Sequence, residues 1–230
     1  MKFHFFAIFL LVIQWSCESA TTKTSVPANT KDKSPSESAQ NDTDLAKKRI
    51  LFFGDSITAG YGIDEKQAFP ALIQQKLDSL GLPWNAVNAG LSGETSAGGL
   101  RRIDWLLLEP VHMLILELGG NDGLRGVLPA DTQDNLEKII DRTRQKYPDA
   151  IIILAGMQIP PNLGQDYAQA FASVYPTVAR NKNVPLIPFI LEGVGGIPEL
   201  NLPDGIHPTP QGHSIIAKTV WGSIQEYIYP

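Results

Sequence analysis

From Arg49 onward, short apolar runs alternate with longer segments that are apolar at every third or fourth position. A short apolar run bounded by glycine or proline reads as a buried strand, and the three-to-four spacing reads as a helix with one buried face. Alternating the two leaves a parallel sheet, covered on both sides, as the arrangement that buries every apolar face. The strands predicted are Ile50 to Phe53, Trp84 to Val87, Val111 to Leu118, Ala150 to Ala155 and Val184 to Phe189. Ala150 to Ala155 is the most apolar and is expected at the centre. The helices predicted are Ala68 to Leu80, Glu94 to Leu108, Asp131 to Tyr147, Tyr167 to Arg180 and Gln211 to Tyr229. Pro176 should bend or break the fourth of these. The glycine- and proline-rich stretch from Leu191 to Pro210 is expected to be loop.

These elements predict one α/β domain over residues 49–230, a three-layer α/β/α sandwich of flavodoxin-like type on a five-stranded parallel sheet. No internal repeat and no second domain is visible. The hydrophobic fraction of 43% and charged fraction of 19% suit such a domain. Net charge is −5, and basic residues form no cluster beyond Arg101-Arg102 and the Arg142, Arg144, Lys146 group. That argues against nucleic acid as a partner.

The N-terminus is different in kind. Lys2 precedes the unbroken apolar stretch Phe5 to Ile13, which falls well short of the roughly 20 residues of a membrane-spanning helix. Such a segment is a targeting signal rather than part of a fold. The chain's single cysteine, Cys17, comes just after it, behind Trp15-Ser16. Residues 1–17 resemble a bacterial lipoprotein signal, with Gln14 standing where an aliphatic residue is usual. The resemblance implies a lipid on Cys17, a membrane as partner and a periplasmic address. The plainer alternative is an ordinary secretory signal beside an incidental cysteine. Residues 18–48 are rich in Ser, Thr, Lys, Asp, Asn and Pro, and their sizeable apolar residues are Val26 and Leu45. That segment is expected to be a disordered tether.

The chemistry gathers at the strand ends. Gly54-Asp55-Ser56 closes the first strand, Gly90 to Gly93 the second and Gly119 to Asp122 the third, all on the edge where α/β sheets place ligands. Asp204-Gly205-Ile206-His207 precedes the last helix and can fold back over that edge. Singly, each has a plain use: Ser56 as a helix cap, Gly93 and Asn121 as turn formers, His207 as a loop histidine. Together they supply what acyl-bond hydrolysis requires. Ser56 is the nucleophile, His207 the base, and Asp204 the group that fixes the imidazole. The backbone N–H groups of Ser56 and Gly93 and the side-chain amide of Asn121 can receive an oxyanion. Asp55 and Asp122 are read as structural carboxylates. His112, at the far edge of the sheet, and His213, in the last helix, are read as packing or surface residues.

The blocks Phe53 to Ser56, Asn88 to Thr95, Leu116 to Gly126 and Asp204 to Pro208 together resemble the SGNH, or GDSL-type, hydrolases. The likeness is greatest to the thioesterase I, lysophospholipase and arylesterase branch, and it covers residues 50 to 228. It implies the same triad and oxyanion hole, a small acyl ester or thioester substrate, a monomer, and neither metal nor cofactor. Gln158 and Leu163 depart from the branch pattern, which has arginine and tyrosine there, so its chain-length preference does not transfer. Three alternatives stand beside this reading. One is a carbohydrate O-acetylesterase of the same superfamily. Another is a metal hydrolase built on Asp55, Asp122, Asp204 and His207, for which the closely spaced ligand sets are missing. The third is a non-catalytic binding lipoprotein, which lacks the phosphate-loop pattern.

Overall fold

The computed structural model describes residues 47–229. The expected signal segment, Cys17 and all but the last residues of the expected tether lie outside that range. The sheet has five parallel strands: β1 (Lys48–Gly54), β2 (Trp84–Asn88), β3 (Met113–Glu117), β4 (Ile151–Ala155) and β5 (Leu186–Ile187), in the order β2-β1-β3-β4-β5. The described residues also form eight α-helices: α1 (Ser56–Ala59), α2 (Phe69–Ser79), α3 (Ser96–Leu106), α4 (Gly120–Leu124), α5 (Pro129–Lys146), α6 (Gln165–Ala172), α7 (Val174–Lys182) and α8 (Pro210–Ile228). Helices α2 and α8 pack together on one face, and α3, α5 and α7 form the layer on the other. No helix among the described residues is long and apolar enough to cross a membrane.

Ile50, Leu51, Phe52 and Phe53 are all fully buried, because a strand covered on both faces needs apolar side chains in both directions. The strand order puts the site where it is. From β1 the chain winds outward to β2, then crosses back to lay β3 on the other side of β1. The loops leaving β1 and β3 therefore diverge and open a crevice at their C-terminal ends. Ser56 follows β1 and Asn121 follows β3, so both stand at that crevice.

Three expectations about elements are corrected, and the break expected at Pro176 is found three residues earlier. The central strand is β3, not β4. Glu117 lowers the apolar score of β3, yet all five of its residues are buried. The strand expected over Val184 to Phe189 shrinks to Leu186–Ile187, because Pro185 and Pro188 on either side lack the N–H that a ladder needs. The helix around Pro176 breaks at Ser173. Pro176 then falls in the first turn of α7, where its missing N–H costs nothing, and the Ala172 carbonyl it cannot serve ends α6. The stretch from Leu191 to Pro210 holds a 3-10 turn at Pro198–Leu200 and an antiparallel bridge between Asn201 and Pro208.

Candidate active site

Gly54 ends β1 because no other residue fits there. A Cβ at that position would collide with the Thr58 hydroxyl and the Glu117 carboxylate. The chain then turns into α1, whose N-cap is Asp55: one carboxylate oxygen accepts from the Ile57 N–H at 3.0 Å. Ser56 is thus the first helical residue rather than the cap. Among the described residues its own N–H has no acceptor, nor does that of Gly93.

His207 reaches Ser56 from the other end of the domain. Its Nε2 lies 2.9 Å from Ser56 Oγ, and its Nδ1 lies 2.7 Å from Asp204 Oδ2. The second oxygen of Asp204 accepts from the backbone N–H of Ile206 at 2.9 Å and of His207 at 3.0 Å. Those two bonds and the imidazole hold the Asp204 carboxyl down to about pKa 2, so it is ionised throughout the neutral range. The loop is closed at its base by the bond from Leu202 N–H to His207 carbonyl at 2.7 Å, and the Tyr61 ring packs on the imidazole at 4.5 Å between centroids.

Asn121 sits across from Ser56 at the start of α4. Its Nδ2 donates to Asp55 Oδ2 and to the Glu94 carbonyl, both at 3.1 Å. The second bond brings the Gly93-Glu94 segment against Asn121, with Gly93 in the left-handed region at φ 79°. Asp122, the next residue, points away from the crevice. It accepts from Ser96 N–H at 2.8 Å and Ser96 Oγ at 2.5 Å, so it anchors the start of α3.

Behind the serine lies a second acid that sequence reasoning gave no role. Glu117 is buried, accepts from Thr58 Oγ at 2.7 Å and from Asp55 N–H at 3.3 Å, and its other oxygen has no partner. Burial first, then the nearby Asp55 charge, push its carboxyl well above the ordinary carboxylate range, which favours its neutral form. Burial likewise raises Asp55 to about 6, against the lowering pull of Ile57 N–H and Asn121. The signal for Glu117 was a lone acid inside an otherwise apolar strand.

His213 is fully buried in α8 and accepts from Phe69 N–H at 3.2 Å, and burial lowers its pKa to about 4. It is a neutral packing residue. His112 accepts from Arg49 N–H at 3.0 Å, at the N-terminal edge of the sheet. Among the described residues no three His, Cys, Asp or Glu side chains converge as metal ligands would.

The crevice is a cleft of about 690 Å³ with Ser56, Asn121 and His207 in its wall. Leu124, Met157, Ile159, Phe189 and Leu191 give it an apolar lining, and Gln158, Asn162 and Asn201 add amides. Leu163 is half-exposed outside this wall, beside Gly126. A cleft of this size and lining encloses a small or medium organic molecule.

Residues 52–215 match the model of the GDSL-like lipase/acylhydrolase family. The chain is 43% identical over 181 residues to the esterase TesA of Pseudomonas aeruginosa, covering 78% of this chain and 89% of that one. It is 37% identical over 184 residues to thioesterase 1/protease 1/lysophospholipase L1 of Escherichia coli K12, covering 80% and 86%. Among solved structures, that of TesA superposes with a TM-score of 0.74 at 42% identity, covering 78% of this chain and 99% of that one. The psychrotrophic esterase EstA of a Pseudoalteromonas species, in a structure inhibited by monoethylphosphonate, gives 0.74 at 33% identity, covering 79% and 98%. A chain that shares this sheet, these strand-end blocks and these relatives belongs to the GDSL-like lipase/acylhydrolase family and is an ester- or thioester-cleaving hydrolase of SGNH type.

Proposed function

We propose that Ser56, His207 and Asp204 are the catalytic triad, and that the Ser56 N–H, the Gly93 N–H and the Asn121 amide form the oxyanion hole. The observation that carries this is the unbroken run from Ser56 Oγ through both imidazole nitrogens to Asp204, at 2.9 and 2.7 Å. Ser56 Oγ attacks the acyl carbon while His207 Nε2 takes its proton. The ionised Asp204 holds Nδ1 protonated and stabilises the imidazolium. The carbonyl oxygen becomes an oxyanion facing the three donors, and collapse returns the proton to the leaving alcohol or thiol. Water, activated by the same imidazole, then releases the acid from Ser56. Asn121 enters this cycle with its N–H groups already committed to Asp55 and Glu94. The oxyanion therefore shares or displaces one of those acceptors.

The test is a panel on the domain: p-nitrophenyl esters of rising chain length, palmitoyl-CoA and lysophosphatidylcholine. Turnover that disappears in Ser56→Ala, by a factor on the order of 10⁴–10⁶, supports the assignment, and turnover retained in that variant refutes it.

We further propose that Cys17 carries a lipid anchor and that the domain works as a monomer outside the cytoplasm. Support comes from the order of charged residue, apolar stretch and lone cysteine, followed by a polar tether. An enzyme held there meets lysophospholipids and exogenous esters before cytoplasmic acyl-CoA. Mass spectrometry of the mature N-terminus decides the point, since an unmodified start beyond Cys17 removes the anchor.

A further inference from the structure

Arg125 lies in the same segment as Asn121, yet neither the triad nor the oxyanion donors use it. It caps α4 and its side chain is exposed. From there its Nη2 donates to the Gly93 carbonyl at 3.1 Å and reaches Asn121 Oδ1 at 3.5 Å. Gly93 and Asn121 are the two oxyanion donors that do not belong to the nucleophile's own loop. We propose that Arg125 is a positioning residue of the oxyanion hole: its guanidinium ties the Gly93 loop to the Asn121 amide and sets the direction in which both donate. This rests on the reading of Gly93 and Asn121 as oxyanion donors.

Consider Asn121 first. The oxygen and nitrogen of an amide exchange places by a half-turn, and only their partners choose between the two orientations. Here a cation faces the oxygen, while the Asp55 carboxylate and the Glu94 carbonyl face the nitrogen. A flip would set NH₂ against guanidinium and oxygen against carboxylate, so both contacts would become repulsive. The amide is held with its N–H groups inward. The charge also draws electron density from the amide oxygen, which makes the N–H groups stronger donors toward a developing oxyanion.

Gly93 has the opposite difficulty. It has no side chain to hold it, and it stands in the left-handed region where glycine is free to move. Arg125 grips its carbonyl, and Asn121 grips the carbonyl of the next residue, Glu94. The two bonds fix the peptides that follow Gly93, and so restrain its N–H, which belongs to the preceding peptide, by holding the Gly93 Cα in place. A Cβ on Gly93 would lie 3.7 Å from Arg125 Nη2, so the guanidinium packs directly beside this backbone. One planar group thus restrains two donors that come from different strand-end loops.

The test uses Arg125→Met, Arg125→Lys and Asn121→Ala, with p-nitrophenyl butyrate as substrate and Ser56→Ala as control. Arg125→Met should lower kcat roughly 10- to 100-fold with KM changed by less than about threefold, as expected when a charged hydrogen bond that orients transition-state donors is lost. Arg125→Lys should recover part of that loss, because it restores the charge without the planar fork. In the Arg125→Met background, Asn121→Ala should cost far less than it does in the wild type, since the two residues act through one donor. A role confined to stability would move the melting temperature and leave kcat and this coupling alone. Arg125→Met with kcat within twofold of wild type, or losses that simply multiply with Asn121→Ala, would overturn the proposal. Full activity in Ser56→Ala or Asn121→Ala would instead overturn the underlying site assignment, so the two failures are told apart.

Discussion

Two carboxylates flank the serine–histidine pair, and they sit in opposite environments. Asp204 is part-exposed on a loop, yet it is ionised down to about pH 2, because three hydrogen-bond donors converge on it. Asp55 is almost wholly buried, has two donors, and rises to about 6. Burial works against Asp55 as a charged partner, since it penalises the ionised carboxyl. At Asp204 the three donors meet little burial to oppose them. A group that must stabilise an imidazolium has to remain charged at every working pH, and Asp204 does. Asp55 serves instead as a scaffold, capping α1 with one oxygen and holding Asn121 with the other.

The sharpest break of this contrast is Asp204→Asn. It preserves the size and one acceptor of the side chain and removes the charge, so kcat should fall on the order of 10³–10⁴-fold. The melting temperature should change little, since the carboxylate is near the surface. Asp55→Asn should cost less, roughly 10- to 100-fold in kcat, because the amide can cap Ile57 but then presents NH₂ to the NH₂ of Asn121. The same variant has a stability signature. The folded pKa of Asp55 is raised from 3.8 to about 6. Wild-type folding therefore gains from its protonated form below about pH 4, and loses that gain as pH rises through 6. Denaturant melts should show Asp55→Asn gaining on the wild type between pH 4 and 7, by up to about 3 kcal/mol. A gap that stays constant over that range would mean that burial does not set the Asp55 titration. The smallest effect belongs to Glu117→Gln. Burial favours the neutral form of Glu117, which has the shape of a glutamine, so stability at pH 7 should stay within about 1 kcal/mol. A much larger loss, measured by denaturant unfolding, would show that Glu117 is ionised.

The same contrast explains what could be read in the sequence. Asp204 and His207 are three positions apart on a Gly-containing turn, so their contact is a local matter that spacing expresses. Ser56 and Asn121 were legible as strand-end residues because glycine marks where each strand stops. The bond from Asn121 to Asp55 and the reach of Arg125 to Gly93 join different strand-end loops, and no periodicity encodes a contact of that kind. Glu117 misled in another way. One acid made β3 look less apolar than β4, so the strand was seen but its central place was not, although Thr58 and Asp55 make the acid's burial tolerable. The shortening of β5 was encoded plainly in Pro185 and Pro188, whose missing donors the apolar run outweighed.

The bond between His207 and Ser56 spans 151 positions, and this bears on how the protein acquires activity in time. Asp204 and His207 sit on a loop that closes on itself between Leu202 and His207, so that pair can organise early and locally. Ser56 lies near the other end of the domain and meets the pair only when α8 has docked against α2 and β2, fastened by the bonds from Phe69 to His213 and from Trp84 to Ile228. Contacts of such long sequence separation form late. A chain still emerging from synthesis therefore has Asp204 and His207 matched but Ser56 out of reach. In refolding, the return of hydrolysis should be the last signal, trailing the recovery of helix and sheet. For this enzyme, catalytic activity is a clock that starts when the ends of the domain meet.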